Sequence, residues 1–194
     1  RVQCYCYNTK TDKFEKLSLP VDVVLQFNIA NNSLSCAFIG QNVKHYAQLY
    51  KYDIKSKKST VLYNPMKETM DELKLGQVED WDFKSRNGDN IKGIYYLPTD
   101  FDPAKKCPMI VYYYGGTTPV TRYFDSRYPF HMFASMGYVV YVLQPSGTIG
   151  FGQEFSAWHV NAWGERTADD IIEGVTKFCD EHSFVNRAKI GCIG

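Results

Sequence analysis

Four short patches carry the residue types that could do chemistry. Tyr112-Tyr113-Tyr114-Gly115-Gly116 ends an apolar run in two glycines. Paired glycines let a backbone approach a ligand closely, and a tyrosine at such an edge can aim its hydroxyl into a cleft. The second patch, Gln144-Pro145-Ser146-Gly147-Thr148-Ile149-Gly150-Phe151-Gly152, is a glycine-rich loop. The third is Trp163-Gly164, leading into a segment that carries Asp169 and Asp170. The fourth, Asn186 to Gly194, reads as a short strand closing on glycine.

Three simpler assignments fail on spacing. Gly147, Gly150 and Gly152 run Gly-x-x-Gly-x-Gly, whereas dinucleotide binding wants Gly-x-Gly-x-x-Gly opening a helix. Ser146 lies between Pro145 and Gly147, outside the Gly-x-Ser-x-Gly frame of a nucleophile elbow. Asp169 and Asp170 are adjacent, so on a helix they do not share a face as a catalytic pair would. Thr167 reads as an N-cap, with the two acids in the first turn complementing the helix dipole.

The elements that must position these patches follow from hydrophobic patterning. Met109 to Tyr114 and Tyr138 to Leu143 are nearly continuous apolar runs, as expected of strands covered on both faces. Phe130 to Gly137 reads as the end of a helix. Ala168, Ile171, Ile172, Val175, Phe178 and Cys179 recur at helical spacing and predict one apolar face. Lys189 to Ile193 opens a third buried strand. Strands alternating with helices predict a parallel sheet flanked by helices. Upstream, Arg86-Asn87-Gly88-Asp89-Asn90 separates two strand-like runs, and Asn-Gly in that setting signals a hairpin.

The first third of the chain has a different texture. Val2-Gln3-Cys4-Tyr5-Cys6-Tyr7-Asn8 is echoed by Ala47-Gln48-Leu49-Tyr50-Lys51-Tyr52-Asp53, and Leu17 by Leu62, at one offset of 45 residues. Repeats of about 40–45 residues built from short strands have the length of a β-propeller blade. Strands are expected near 21–29, 33–39, 45–53 and 59–63, the four that a blade needs. Met66, Met70 and Leu73 then predict a short helix ended by Gly76.

Composition narrows the partners. The 194 residues carry 22 Lys+Arg against 21 Asp+Glu, which gives no electrostatic reason to expect nucleic acid. The 15 Tyr and 12 Phe exclude a disordered tail. No apolar run approaches the roughly 18 residues of a membrane helix, so no membrane insertion is expected. The six cysteines include no Cys-x-x-Cys pair and are read as free thiols, with no metal site.

In this order, the four patches resemble the prolyl oligopeptidase family of serine peptidases, in its dipeptidyl-peptidase branch. The resemblance is strong over residues 77–194 and weaker over 1–76. It implies an α/β-hydrolase, present as the N-terminal part of its sheet, preceded by the last blades of a β-propeller. The expected domains are 1–66 for the propeller blades, 67–76 for a linker and 77–194 for the hydrolase part. Tyr114 matches the family tyrosine whose hydroxyl helps bind the oxyanion. Gly194 matches the first glycine of the nucleophile elbow, so the serine and the other triad members would lie further along a longer chain. His45, His131, His159 and His182 would then be surface or core-edge imidazoles.

Two positions depart from the family pattern. Ser146 stands where the family often has Arg, and Thr117-Thr118 follow Tyr-Gly-Gly where Pro is frequent. The expected activity is release of short peptides from the N-terminus of oligopeptides through an acyl-enzyme, without a cofactor. An inactive propeller–hydrolase scaffold or a non-peptidase esterase is the alternative. Implied partners are the peptide substrate, the remainder of its own chain and a second copy in a homodimer. A periplasmic or secreted location rests on the resemblance only. A stretch of 194 residues alone is expected to be inactive and not to fold stably.

Overall fold

A computed structural model describes all residues from Arg1 to Gly194. The chain divides into two compact units: Arg1–Lys74 with Thr121–Tyr128, and Leu75–Val120 with Pro129–Gly194.

In the first unit, β1 (Tyr5–Asn8) and β2 (Lys13–Lys16) form a two-stranded hairpin. Then β3 (Val23–Ile29), β4 (Ser35–Asn42), β5 (His45–Asp53) and β6 (Lys58–Tyr63) form an antiparallel sheet in sequential order. Its core gathers Val21, Cys36, Phe38, Tyr50 and Tyr52. Phe38 and Tyr50 are direct cross-strand partners and stack with ring centroids 4.8 Å apart.

The repeat seen in the sequence recurs in the backbone. The partner pairs Tyr5↔Lys16, Cys6↔Glu15, Tyr7↔Phe14 and Asn8↔Lys13 reappear, each shifted by the same offset of 45, as Tyr50↔Val61, Lys51↔Thr60, Tyr52↔Ser59 and Asp53↔Lys58. The turns match as well. Asn8 Oδ1 accepts the Lys10 and Thr11 amides, Asp53 Oδ1 accepts the Ser56 amide, and each turn places a non-glycine residue at positive φ, Asp12 at 54° and Lys57 at 57°. An Asx side chain that bonds its own turn is the local device that fixes both hairpins.

The short helix α1 (Lys67–Glu72) follows. Gly76 has a different reason from the helix stop expected of it. A Cβ there would lie 1.8 Å from Leu97 O, so glycine permits a close backbone approach.

The second unit is built on a mixed sheet. Its strands are β7 (Val78–Asp80), β8 (Phe83–Lys84), β9 (Asn90–Tyr96), β10 (Cys107–Tyr112), β11 (Val139–Gln144) and β12 (Val185–Ile193). The order is β12-β10-β11-β9-β7, with β8 paired to β9. The pairs β10–β11 and β10–β12 are parallel, but β9 runs antiparallel to β11 and to β7. The parallel sheet expected from the strand–helix alternation after Pro108 is present in β10, β11 and β12, and β9 and β7 add an antiparallel half beside it. The antiparallel half precedes the first helix crossover, where the chain turns back through short loops.

Helices α2 (Phe130–Ser135), α3 (Gln153–Ala157) and α4 (Glu165–Glu181) complete the unit. Residues Val139 to Leu143 are all buried, as their continuous apolar run requires. Phe178 on α4 is fully buried, stacked on Tyr141 at 4.6 Å and on His182 at 4.0 Å.

The segment Thr121–Tyr128, expected within 77–194, is grouped with the first unit. Two contacts explain this. Arg122 Nε lies 2.9 Å from Asp22 Oδ2, and the Phe124 amide donates to Gln41 Oε1 at 3.0 Å.

Candidate active site

The C-terminal ends of β10 and β12 bring two of the patches together. Tyr112 pairs with Ile193, and the Tyr113 amide donates to Ile193 O at 3.3 Å. A Cβ on Gly194 would lie 2.2 Å from Tyr113 O, so only glycine fits against that carbonyl. Tyr114 is the second residue past the strand and is 44 % exposed. Tyr112 is buried against Phe130, and Tyr113 packs on the opposite side of the strand into the core under α4. Burial pushes the Tyr113 phenol up, with the Cys192 thiol beside it as a lesser contribution.

The loop after Tyr114 is held by the glycine-rich loop that follows β11. Gln144 bonds the backbone of Val120 at both its N–H and its C=O: Val120 N–H donates to Oε1 at 2.9 Å, and Nε2 donates to Val120 O at 2.7 Å. The Ile149 amide donates to Thr117 O at 2.8 Å. Within this loop Gly116 doubles back on the tyrosine, since a Cβ on Gly116 would lie 2.7 Å from the Tyr114 ring.

The glycine-rich loop is itself clasped by α4. The Ser146 amide donates to Asp170 Oδ2 at 2.8 Å, and Thr167 Oγ1 donates to Ser146 O at 3.0 Å. Positions 167 and 170 lie one turn apart on the same helix face. The Gly147 amide donates to Phe155 O at 2.8 Å. Gly147 has φ +95°, and a Cβ there would lie 2.1 Å from the His159 ring. His159 is buried and stacks on Trp163 at 4.4 Å.

These contacts correct four expectations. Thr167 is not the N-cap. The helix starts at Glu165 behind Gly164, whose φ of 87° suits glycine, while the Thr167 hydroxyl is committed to Ser146. Asp170 serves the loop and not the helix dipole, and its side chain is fully buried. Burial pushes its carboxyl up, while the Ser146 hydrogen bond opposes that shift. The inward face of α4 consequently includes polar Thr167 and Asp170 with Gly174 and Phe178, and leaves Ala168 and Ile172 exposed. His159 lies wholly inside the site, tucked under Gly147. Nothing in sequence spacing pairs residues 147 and 159, and Gln144 gave no signal beyond its place in the loop.

The arrangement offers a phenol at a strand edge beside a glycine-lined backbone, with no group of three or more His, Cys, Asp or Glu able to hold a metal ion. The family model that matches over residues 124–194 is that of the prolyl oligopeptidase family. Over that stretch the chain resembles the family. The chain is also similar to dipeptidyl peptidases. It is 29% identical over 122 residues to dipeptidyl peptidase 8 of Mus musculus, covering 60% of this chain and 14% of that protein. It is 32% identical over 115 residues to dipeptidyl-peptidase 5 of Schizosaccharomyces pombe, covering 58% of this chain and 16% of that protein. Among solved structures, the fold resembles the acylaminoacyl peptidase of Pyrococcus horikoshii, with a TM-score of 0.82 at 21% identity, over 97% of this chain and 29% of that one. The chain thus spans less than a third of the length of each of these proteins.

Proposed function

We propose that the intact protein is a serine peptidase that releases short peptides from the N-terminus of oligopeptides through an acyl-enzyme. In this reading the hydroxyl of Tyr114 donates to the oxyanion, and Gly194 opens the turn that carries the nucleophilic serine. The observation that carries it is the meeting of Tyr113-Tyr114 with Gly194 at the ends of two paired parallel strands. A nucleophile elbow sits at such a strand end, lifting its serine above the sheet. A tyrosine on the neighbouring strand end is then within reach of the carbonyl under attack, and its O–H stabilises the tetrahedral intermediate more than the ground state.

Residues 1–66 are assigned to propeller blades, 67–76 to a linker and 77–194 to part of the hydrolase. The four-stranded antiparallel sheet and the hairpin repeated at a 45-residue offset support this division.

The test is made on the intact protein. A fluorophosphonate probe should label it, and it should cleave a dipeptidyl amide. Tyr114→Phe should lower kcat by about 10²–10³-fold, the loss typical of one oxyanion donor. Unchanged kcat in that variant would remove the role of Tyr114; absence of both labelling and cleavage would remove the peptidase reading.

A further inference from the structure

Gln144 holds more of the candidate site in place than its position in a loop suggests. Its primary amide makes a two-point clamp on the backbone of Val120, using both the acceptor and the donor end. A primary amide offers a donor and an acceptor side by side without a charge, and the two contacts together fix the orientation of the Val120 backbone as well as its position. Three residues earlier, Thr117 O is held by the Ile149 amide. The segment from Gly115 to Val120 is thus fastened at 117 and 120, and its free end is Gly115-Gly116. Gly116 lies hard against the Tyr114 ring, close enough that a Cβ would collide with it. A displacement of the fastened segment therefore moves the surface on which the ring rests.

Resting on the oxyanion reading of Tyr114, we infer that Gln144 is a positioning residue for that tyrosine, acting through Val120, Thr117 and Gly116. It touches neither substrate nor the reacting atoms. Without the clamp the two glycines have no constraint on their φ and ψ beyond the Ile149 bond, and the phenol samples orientations that miss the oxyanion. Displacement by about 1 Å can cost on the order of 10²-fold in rate, which bounds the effect.

The experiment is a double-mutant cycle in the intact protein, with kcat and KM measured on a dipeptidyl amide for wild type, Gln144→Glu, Tyr114→Phe and the double variant. Gln144→Glu keeps the acceptor for Val120 N–H and nearly the same shape, but loses the donor to Val120 O, so the chain is expected to fold. Gln144→Glu should lower kcat by roughly 10–10²-fold with KM changed less than about twofold. In the Tyr114→Phe background the same substitution should change kcat by less than about twofold, because the group it positions is already gone. Hydrogen exchange should show faster opening of the 115–120 amides in Gln144→Glu, irrespective of turnover.

Each other outcome overturns a defined part. Full multiplicative loss in the double variant shows that Gln144 acts without Tyr114. An unchanged kcat in Gln144→Glu, beside an impaired Tyr114→Phe, removes the inference and leaves the oxyanion reading standing. An unimpaired Tyr114→Phe removes both.

Discussion

Replacing Gly147 by alanine tests the packing that supports the glycine-rich loop. Two separate costs fall on that position. Its φ of +95° is one that L residues rarely adopt, and holding a non-glycine residue there costs about 1–3 kcal/mol. In addition, the new methyl would sit 2.1, 2.2 and 2.6 Å from Cδ2, Nε2 and Cγ of His159, far inside contact distance. The ring cannot swing freely, because it is 8% exposed and stacked on Trp163. Overpacking of that kind costs about 1–3 kcal/mol.

Gly150 supplies the control: its φ is +91°, but a Cβ there would meet nothing within 4 Å. Gly150→Ala should therefore lose only the backbone part. Urea unfolding of the intact protein, followed by tryptophan fluorescence, should place Gly147→Ala about 1–3 kcal/mol below Gly150→Ala. Adding His159→Ala to Gly147→Ala removes the obstructing ring, so the pair should cost less than the sum of the two single substitutions. Equal losses for Gly147→Ala and Gly150→Ala would refute the close approach of ring and loop.

Two further outcomes follow from the core and from the buried acid. Phe178→Ala removes a fully buried ring stacked on Tyr141 and His182, and should cost about 3–5 kcal/mol by the same urea measurement; a loss below about 1 kcal/mol would contradict the core described. Asp170 holds its proton to higher pH in the folded state than in the unfolded chain, so its contribution to stability declines as pH rises from the ordinary aspartate value through the raised one. Asp170→Asn keeps an acceptor for the Ser146 amide and removes that decline, so its unfolding midpoint should fall less than wild type's between about pH 4 and pH 7. Parallel pH profiles for the two proteins would show that the carboxyl is not desolvated as described.

Much of this organisation is legible in the sequence. The offset of 45 between Gln3 and Gln48 anticipated a hairpin register that recurs pair for pair, because β-turn chemistry is local: Asn8 and Asp53 each bond their own turn. The buried strands were equally plain, since a run such as Val139 to Leu143 has no polar face to offer water. What failed was the rotation of α4. Apolar spacing pointed Ala168 and Ile172 inward, but the helix turns Thr167 and Asp170 to a peptide some twenty residues away in sequence, and that satisfied backbone outweighs two apolar contacts. His159 was illegible for a related reason. Its partner is the missing side chain of Gly147, and an absence leaves no pattern to read. The assignment of Thr121–Tyr128 to the first unit depends on Asp22 and Gln41, a hundred and some eighty residues earlier, which no local signal encodes.

The pairing of β10 with β12 has a consequence for synthesis. Tyr112 and Ile193 are neighbours across a ladder but about eighty residues apart along the chain, so the contact closes late and at high loop entropy. Its other neighbour, β11, is made much sooner. At about 5–20 residues per second, a ribosome leaves one flank of β10 unpaired for several seconds after that strand emerges. Throughout this interval the three consecutive tyrosines stand at a bare strand edge. The surroundings of Tyr114 are thus completed only once Ile193 has emerged, and a nascent chain halted before Val185 presents a sticky edge to whatever else is being made nearby.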